Sequence, residues 1–281
     1  MKDKVFLVTG ANAGIGRITA LEIAKSGATL VIVCRDQGRG EEALKDIKEK
    51  SKNDKVELLL ADLSSQQEIH KLAEQFKSKY DRLDVLVNNA GVIFGERKLT
   101  VDGIENTFAL NHLGYFLLTN LLLDLLKKSA PSRIINVSSE GHRMGNIKYD
   151  DINREKGYSS VSVYGQTKFD NILFTYELAS RLEGTGVTVN CLHPGGVATN
   201  FGSGNNTFFG FLVKLARPFL ISAEKGAETS VYLALSPEVE NVTGKYFIKK
   251  KQKKSSGPSY DKDAAKRLWE ISEKMTKLAP V

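Results

Sequence analysis

Apolar and polar residues along this 281-residue chain follow two alternating rhythms. Short apolar runs rich in β-branched residues recur as KVFLVT, TLVIVC, KVELLL, LDVLVN, RIINVS, GVTVNCL and KYFI. Runs apolar at nearly every position predict strands buried on both faces, as in a parallel sheet. Between the first six lie longer segments with apolar residues three and four apart, including RITALEIAKSG, QEIHKLAEQFKSKY and NILFTYELASRLEG. These predict amphipathic helices, and Gly27 and Gly184 fall where two of them should stop. The repeated strand–helix–strand order predicts an α/β fold, one doubly wound domain with a mainly parallel central sheet of about seven strands. YFLLTNLLLDLL at 115–126 predicts a buried helix, since Thr119, Asn120 and Asp124 interrupt it and it is too short to cross a bilayer. A last helix is expected near 261–278, pinned by Leu268 and Trp269.

Composition adds a large core to this picture: 41% of residues are hydrophobic and 26% charged, with no repeat or linker dividing 1–281. The N-terminus enters VFLVTG without the basic flank and longer apolar stretch of a signal peptide. Cys34 and Cys191 form no redox or ligand motif, and His70, His112, His142 and His193 show no metal-ligand spacing. A cytoplasmic, reducing compartment and no metal are therefore expected. The net charge of +7 changes less than its size suggests. Much of it sits in KKKQKK at 249–254, which reads as a solvated loop with at most weak attraction to anionic lipid. Without interleaved aromatics, nucleic acid is not an expected partner.

Three stretches carry candidate chemistry. VTGANAGIGR joins the first strand to the first helix and contains Gly10, Gly14 and Gly16. Its Gly-x-x-x-Gly-x-Gly spacing permits a tight turn and lets a pyrophosphate approach backbone donors at a helix N-terminus. Strand two ends in Cys34 followed by Arg35, where a dinucleotide fold often has an acid for the ribose hydroxyls. A guanidinium cannot accept those bonds but suits a 2′-phosphate, so NADP(H) is the expected cofactor. Asp36 would oppose that phosphate if it turned inward, and Arg17 either shares the contact or faces solvent. Asp62 stands either to accept a hydrogen bond from adenine or to cap the next helix. In SVYGQTKF, Tyr164 and Lys168 share a helix face one turn apart, as a surface pair or a chemical one. A free tyrosine has a pKa of about 10. A nearby ammonium favours its phenolate, moving it toward the range a general base needs.

In chain order, TGANAGIG (9–16), NNAG (88–91), Asn111 in NHLG, NVSS (136–139), YGQTK (164–168) and HPGGVAT (193–199) resemble the short-chain dehydrogenase/reductase family over nearly the whole chain. CRD, VNNAGV, the segment from NILFTYELA to RLEGTGV, GKYF and RLW are most similar to its retinol-dehydrogenase-like subgroup. The resemblance implies a Rossmann fold and an NADP(H)-dependent oxidoreductase interconverting a small-molecule carbonyl and an alcohol, and the apolar face of residues 199–222 makes a lipophilic substrate the expectation. It implies Tyr164 as proton donor or acceptor, with Lys168 lowering its pKa and binding the nicotinamide ribose. Ser139, rather than Ser138, is implied to polarise the substrate oxygen, and Asn111 to hold a water linking Lys168 to solvent. A serine closing the strand end and an asparagine bonded only to backbone are the plainer readings of those positions.

The implied cofactor contacts are Gly10, Asn12, Gly14, Ile15, Gly16, Arg35, Asp62, Leu63, Asn89, Ala90, Gly91, Tyr164, Lys168, Pro194, Gly195, Val197 and Thr199. Asn88 to Gly91 either floor the cofactor site or stabilise the sheet. Thr167 and Gly196 depart from the subgroup's usual serine and larger apolar residue. His142 is expected as a surface residue near the entrance, beside a lobe inserted between Ser139 and Tyr164. Residues 199–222, with glycine pivots and Phe208, Phe209 and Phe211, are expected to form a substrate lid, a core helix or a weak membrane-surface contact. Subunit number stays open; the resemblance allows a homo-oligomer paired through helices such as 162–183. The rivals are a non-catalytic NADP(H)-binding sensor or scaffold and a sugar epimerase or dehydratase, for which the remaining C-terminal length is small.

Overall fold

The computed structural model describes residues 1–196 and 221–278. One sheet organises them. Strands β1 (Val5–Thr9), β2 (Thr29–Cys34), β3 (Val56–Leu60), β4 (Val85–Asn88), β5 (Ser132–Val137), β6 (Val187–His193), β7 (Lys245–Ile248) and β8 (Lys251–Lys253) lie in the order β3-β2-β1-β4-β5-β6-β7-β8. The first seven are parallel, and β8 runs antiparallel to β7. Leu7 is the register point at the centre, opposite Val31 on one side and Leu86 on the other.

Each strand feeds two cores because successive side chains point to opposite faces. From β1, Leu7 joins Val31, Ile69, Phe76, Phe116, Phe174 and Trp269 on one face. Phe6 and Val8 join Ile23, Ile32, Ile47 and Leu233 on the other. Helices α1 (Gly14–Lys25), α2 (Gln37–Ser51) and α3 (Gln66–Lys79) make the first crossovers. Gly27 and Gly184 follow helices in the left-handed conformation, with φ +77° and +79°, as their positions predict.

Three regions differ from the pattern-based expectation. KKKQKK is not simply a loop: Lys251–Lys253 is the edge strand β8, held by backbone pairing while all its side chains are exposed. The stretch expected as one helix at 115–126 is α5 (Gly114–Leu121) and α6 (Leu123–Lys128), broken at Leu122. Ahead of α5 come a single turn, α4 (Asn106–Phe108), and a π-helical segment at Ala109–Leu113, which contains Asn111. Helix α2 was not marked by apolar spacing because it buries only Gly40, Ala43 and Ile47.

The second half carries α7 (Ser160–Arg181), α8 (Ala223–Leu235) and α9 (Lys262–Thr276). Helix α9 lies against α7, where Trp269 stacks on Phe174 at 5.8 Å and meets Phe116 edge-on at 4.9 Å. Part of the α7 surface is thus covered by the chain's own C-terminal helix. The lobe between Ser139 and Tyr164 is anchored by Ile147, packed with Phe169, Leu173, Ala265 and Leu268. Among the described residues, no helix is long and apolar enough to cross a membrane.

Candidate active site

Strand order reverses direction between β1 and β4, and a crevice opens there beyond the carboxyl ends of the strands, where doubly wound sheets bind ligands. It holds a cavity of about 630 Å³. Every described residue of the expected cofactor set lines it: Gly10, Asn12, Gly14, Ile15, Gly16, Arg35, Asp62, Leu63, Asn89, Ala90, Gly91, Tyr164, Lys168, Pro194 and Gly195. Val197, Thr199 and residues 199–220 of the expected lid at 199–222 lie outside the described residues. Arg39, Phe94, Leu110 and Ala223 also line the cavity and were not singled out from sequence. Arg39 carried a signal, a second guanidinium one helical turn beyond Arg35.

The glycine loop is shaped by close approach. A Cβ on Gly16 would lie 2.3 Å from both Asn89 Nδ2 and the Gly10 carbonyl oxygen, and Gly10 has φ +66°. Asn89 secures the loop by donating to the carbonyls of Thr9 and Gly10 at 2.8 and 3.2 Å. The Thr9 hydroxyl accepts from the amides of Asn89 and Ala90. Asn88 turns the other way, donating to Thr119 and Asn136, so it braces the sheet beneath the site. Helices α2, α3, α7, α8 and α9 begin at side-chain caps, whereas α1 begins at Ala13 with none, leaving its first amides to the cavity.

At the β2 end the charges sort themselves. Asp36 caps α2 by accepting from the Arg39 amide at 2.8 Å. Arg35 Nη1 instead meets Asp62 at 3.6 Å. Asp62 is not a helix cap: Ser65 caps α3, while Asp62 accepts from the amide and hydroxyl of Ser64. Arg17 does not share the site, being paired with Glu42 and Asp46 of α2 at 3.1 Å.

At the other end, β5 delivers two serines with different tasks. The Ser138 hydroxyl is buried and donates to the Lys168 carbonyl at 2.7 Å, which fixes β5 against α7. Ser139 Oγ accepts from the Gly141 amide at 3.1 Å and faces the cavity. Tyr164 and Lys168 follow on the inward face of α7. Lys168 is only 3% exposed, and its Nζ donates to the Val137 carbonyl at 3.1 Å and lies 5.7 Å from the Tyr164 ring centre. Burial pushes Lys168 down to about 7 and Tyr164 up to about 12, while a hydrogen bond with Ser139 draws the phenol down in part. In the protein alone desolvation disfavours both charges, and on Tyr164 its effect is the largest.

Asn111 stands behind the cavity wall. Its Oδ1 accepts from the Val92 amide at 2.9 Å, and its Nδ2 donates to the Val92 carbonyl and to Thr167 Oγ1. Thr167 in turn donates to the Tyr164 carbonyl at 2.9 Å. The side chain is thus a backbone clamp joining the loop after β4 to the helix carrying Tyr164. His142 corrects a second expectation. It is fully buried, not a surface residue.

Residues 4–208 match the family model of the short chain dehydrogenases. The chain belongs to the short chain dehydrogenase family. Mouse retinol dehydrogenase 12 is 44% identical over 96% of this chain and 85% of its own length, so within the family the chain is retinol-dehydrogenase-like. The structure of an uncharacterized Mycobacterium paratuberculosis protein superposes with a TM-score of 0.79 at 31% identity, covering 99% of this chain and 95% of that one. A Pseudomonas aeruginosa RhlG/NADP active-site complex superposes at 0.69 with 26% identity, covering 87% and 93%. The family uses a nicotinamide cofactor, and the cavity's uncapped helix start, glycine cradle and volume suit a dinucleotide. A second groove of about 720 Å³, beside β7 and β8, is lined by Tyr176, Tyr260, Lys253 and Lys254 and has none of these features.

Proposed function

We propose that this short chain dehydrogenase is an NADP(H)-dependent oxidoreductase that interconverts a lipophilic aldehyde or ketone and its alcohol. The observation that carries the reading is the convergence of Ser139, Tyr164 and Lys168 on the cavity that begins at the glycine loop. The nicotinamide group, when bound, supplies or accepts the hydride. Gly10 to Gly16 and the α1 amides would hold its pyrophosphate, Arg35 and Arg39 its 2′-phosphate, and Lys168 a ribose. Arg35 and the NADP carried by the P. aeruginosa RhlG complex support the choice of NADP(H).

Tyr164 holds the proton at Oη that passes to the substrate oxygen in reduction, and Ser139 Oγ orients that oxygen. A phenol held at about 12 is protonated at neutral pH, so the proton to be donated is in place on Tyr164. Asn111 keeps the Val92 loop and Tyr164 helix in register. Phe94 and Leu110 give the cavity an apolar wall, and the retinol dehydrogenase relative supports a lipophilic substrate. Two unpaired, buried cysteines support a reducing compartment such as the cytoplasm.

NADPH oxidation followed against a panel of aldehydes and ketones, retinaldehyde among them, tests the reading. Turnover of at least one apolar carbonyl is expected, with none for short polar ones. Tight NADPH binding with no turnover of any carbonyl or alcohol would favour a non-catalytic sensor instead.

A further inference from the structure

Among the buried titratable groups beside the site to which the mechanism gives no task is His142. His142 is fully buried, two residues into the 3₁₀ turn Glu140–Met144 that follows Ser139. Its amide and its Nδ1 both converge on the Ser139 carbonyl oxygen, at 3.1 and 2.7 Å. Its Nε2 accepts from the Ser256 amide at 3.0 Å, more than a hundred residues later in sequence. The Ser139 carbonyl can only accept and the Ser256 amide can only donate. The ring is therefore neutral and protonated on Nδ1, with both nitrogens satisfied. Burial, which lowers the imidazole pKa, favours that state. Tyr246 of β7 closes one side edge-on at 5.2 Å.

We propose that His142 is a positioning residue that sets the Ser139 turn and couples it to the C-terminal segment Ser255–Tyr260. The coupling has a structural rationale. Gly141 stands two residues after Ser139, and there the turn meets α7 at Gly165, where a Cβ would lie 3.0 Å from the Gly141 carbonyl. The Gly141 amide donates to Ser139 Oγ, so rotation of this turn moves the hydroxyl that faces Tyr164. The imidazole is the side-chain bond that holds the Ser139 carbonyl, and Ser256 fixes the imidazole from behind. The segment bearing Ser256 is itself braced, because Ser255 Oγ bonds to Tyr176 and Ser259 and the Ser255 amide donates to Tyr260.

The inference rests on the reading of Ser139 given above, and its test separates the two. His142→Phe keeps a ring against Tyr246 but removes both side-chain bonds. Ser256→Pro removes only the far donor, and Ser256 already has φ −65°, the value proline adopts. Misplacement of a reacting group by about 1 Å can cost about 10²-fold. His142→Phe should therefore lower kcat between about tenfold and 10²-fold, and Ser256→Pro by less, with NADPH affinity unchanged in both. Restoring the Nδ1-like donor with His142→Asn should give an intermediate kcat. Each loss should vanish in a Ser139→Ala background, because residues acting through one group are not additive.

Wild-type kcat in both single variants, alongside an inactive Ser139→Ala enzyme, overturns the inference alone. Wild-type kcat in Ser139→Ala overturns the reading of Ser139 and the inference with it. If His142→Phe does not fold, Ser256→Pro decides: unchanged kcat contradicts the coupling, and reduced kcat at unchanged NADPH affinity upholds it.

Discussion

The two ends of one cavity hold their charges under opposite conditions. At the β2 end, Arg35 is 65% exposed and meets Asp62 at 3.6 Å in contact with solvent. At the α7 end, Lys168 is 3% exposed and bonded to a main-chain carbonyl. A solvated guanidinium stays a cation and recognises an anion by adding a screened attraction. A buried ammonium is pushed toward neutrality, and Lys168 stands near 7. One end is suited to selecting a ligand, the other to changing protonation within it. The same side-chain charge does different work because burial differs.

The largest effect expected from this contrast is at Lys168. Lys168→Ala removes the buried cation, its bond to Val137 and its proposed ribose contact together. It should lower kcat/KM by about 10²–10³-fold, the usual cost of one preorganised donor, and weaken NADPH binding as well. Steady-state kinetics with a separate NADPH titration checks both; loss of affinity alone would mean that burial of this lysine has no role in the chemistry.

The burial rule can be sharpened away from the site. His112 is fully buried between α7 and α9, near Asn171 Oδ1 at 3.4 Å and Ser272 Oγ at 2.9 Å, and burial pushes it down to about 4. The unfolded chain, with a histidine pKa of about 6.5, binds a proton below that pH which the folded chain refuses. The neutral ring's contribution is thus complete above about 6.5 and is lost as pH falls toward about 4, by up to about 3 kcal/mol. Urea midpoints across that window should fall for the wild type and fall less for His112→Gln. Parallel slopes would contradict the assignment.

At the exposed end the effect should be smallest. A charge-assisted hydrogen bond contributes about 1.5–3 kcal/mol, or roughly 10- to 150-fold in affinity. Solvent exposure and the second arginine at position 39 place Arg35→Ala at the low end, about tenfold for NADPH and little for NADH. Titration of both coenzymes against wild type and variant measures the difference. Equal losses for both would show that this arginine does not face the 2′-phosphate.

The fold was legible where burial is simple. Seven strands stand out because a parallel sheet covered on both faces leaves them apolar throughout. β8 does not, since backbone pairing with β7 holds it and lysines are tolerated on an exposed edge. The break at Leu122 is hidden inside a leucine-rich run, where Leu122 and Leu123 are buried like Leu117 and Leu118 before them. In the site, Gly10, Gly16, Tyr164 and Lys168 show in sequence because spacing fixes them on one turn or one face. The Asn111 clamp on Val92, the Ser138 bond to Lys168 and the Arg35–Asp62 pair join segments distant in sequence, so only folding reveals them. The buried role of His142 was missed for the same reason: its partner, Ser256, comes from the C-terminal segment.

In the proposed chemistry Tyr164 moves a proton, and its ring does little else. Tyr164→Phe keeps the ring beside Gly141 and removes only the hydroxyl. Turnover of an active carbonyl substrate and NADPH affinity should be measured on the same preparations of wild type and variant. Affinity should be unchanged and kcat reduced by about 10²–10⁴-fold, the range for a positioned acid or base. A variant retaining more than about a tenth of wild-type kcat, with chemistry limiting the rate, would contradict that role.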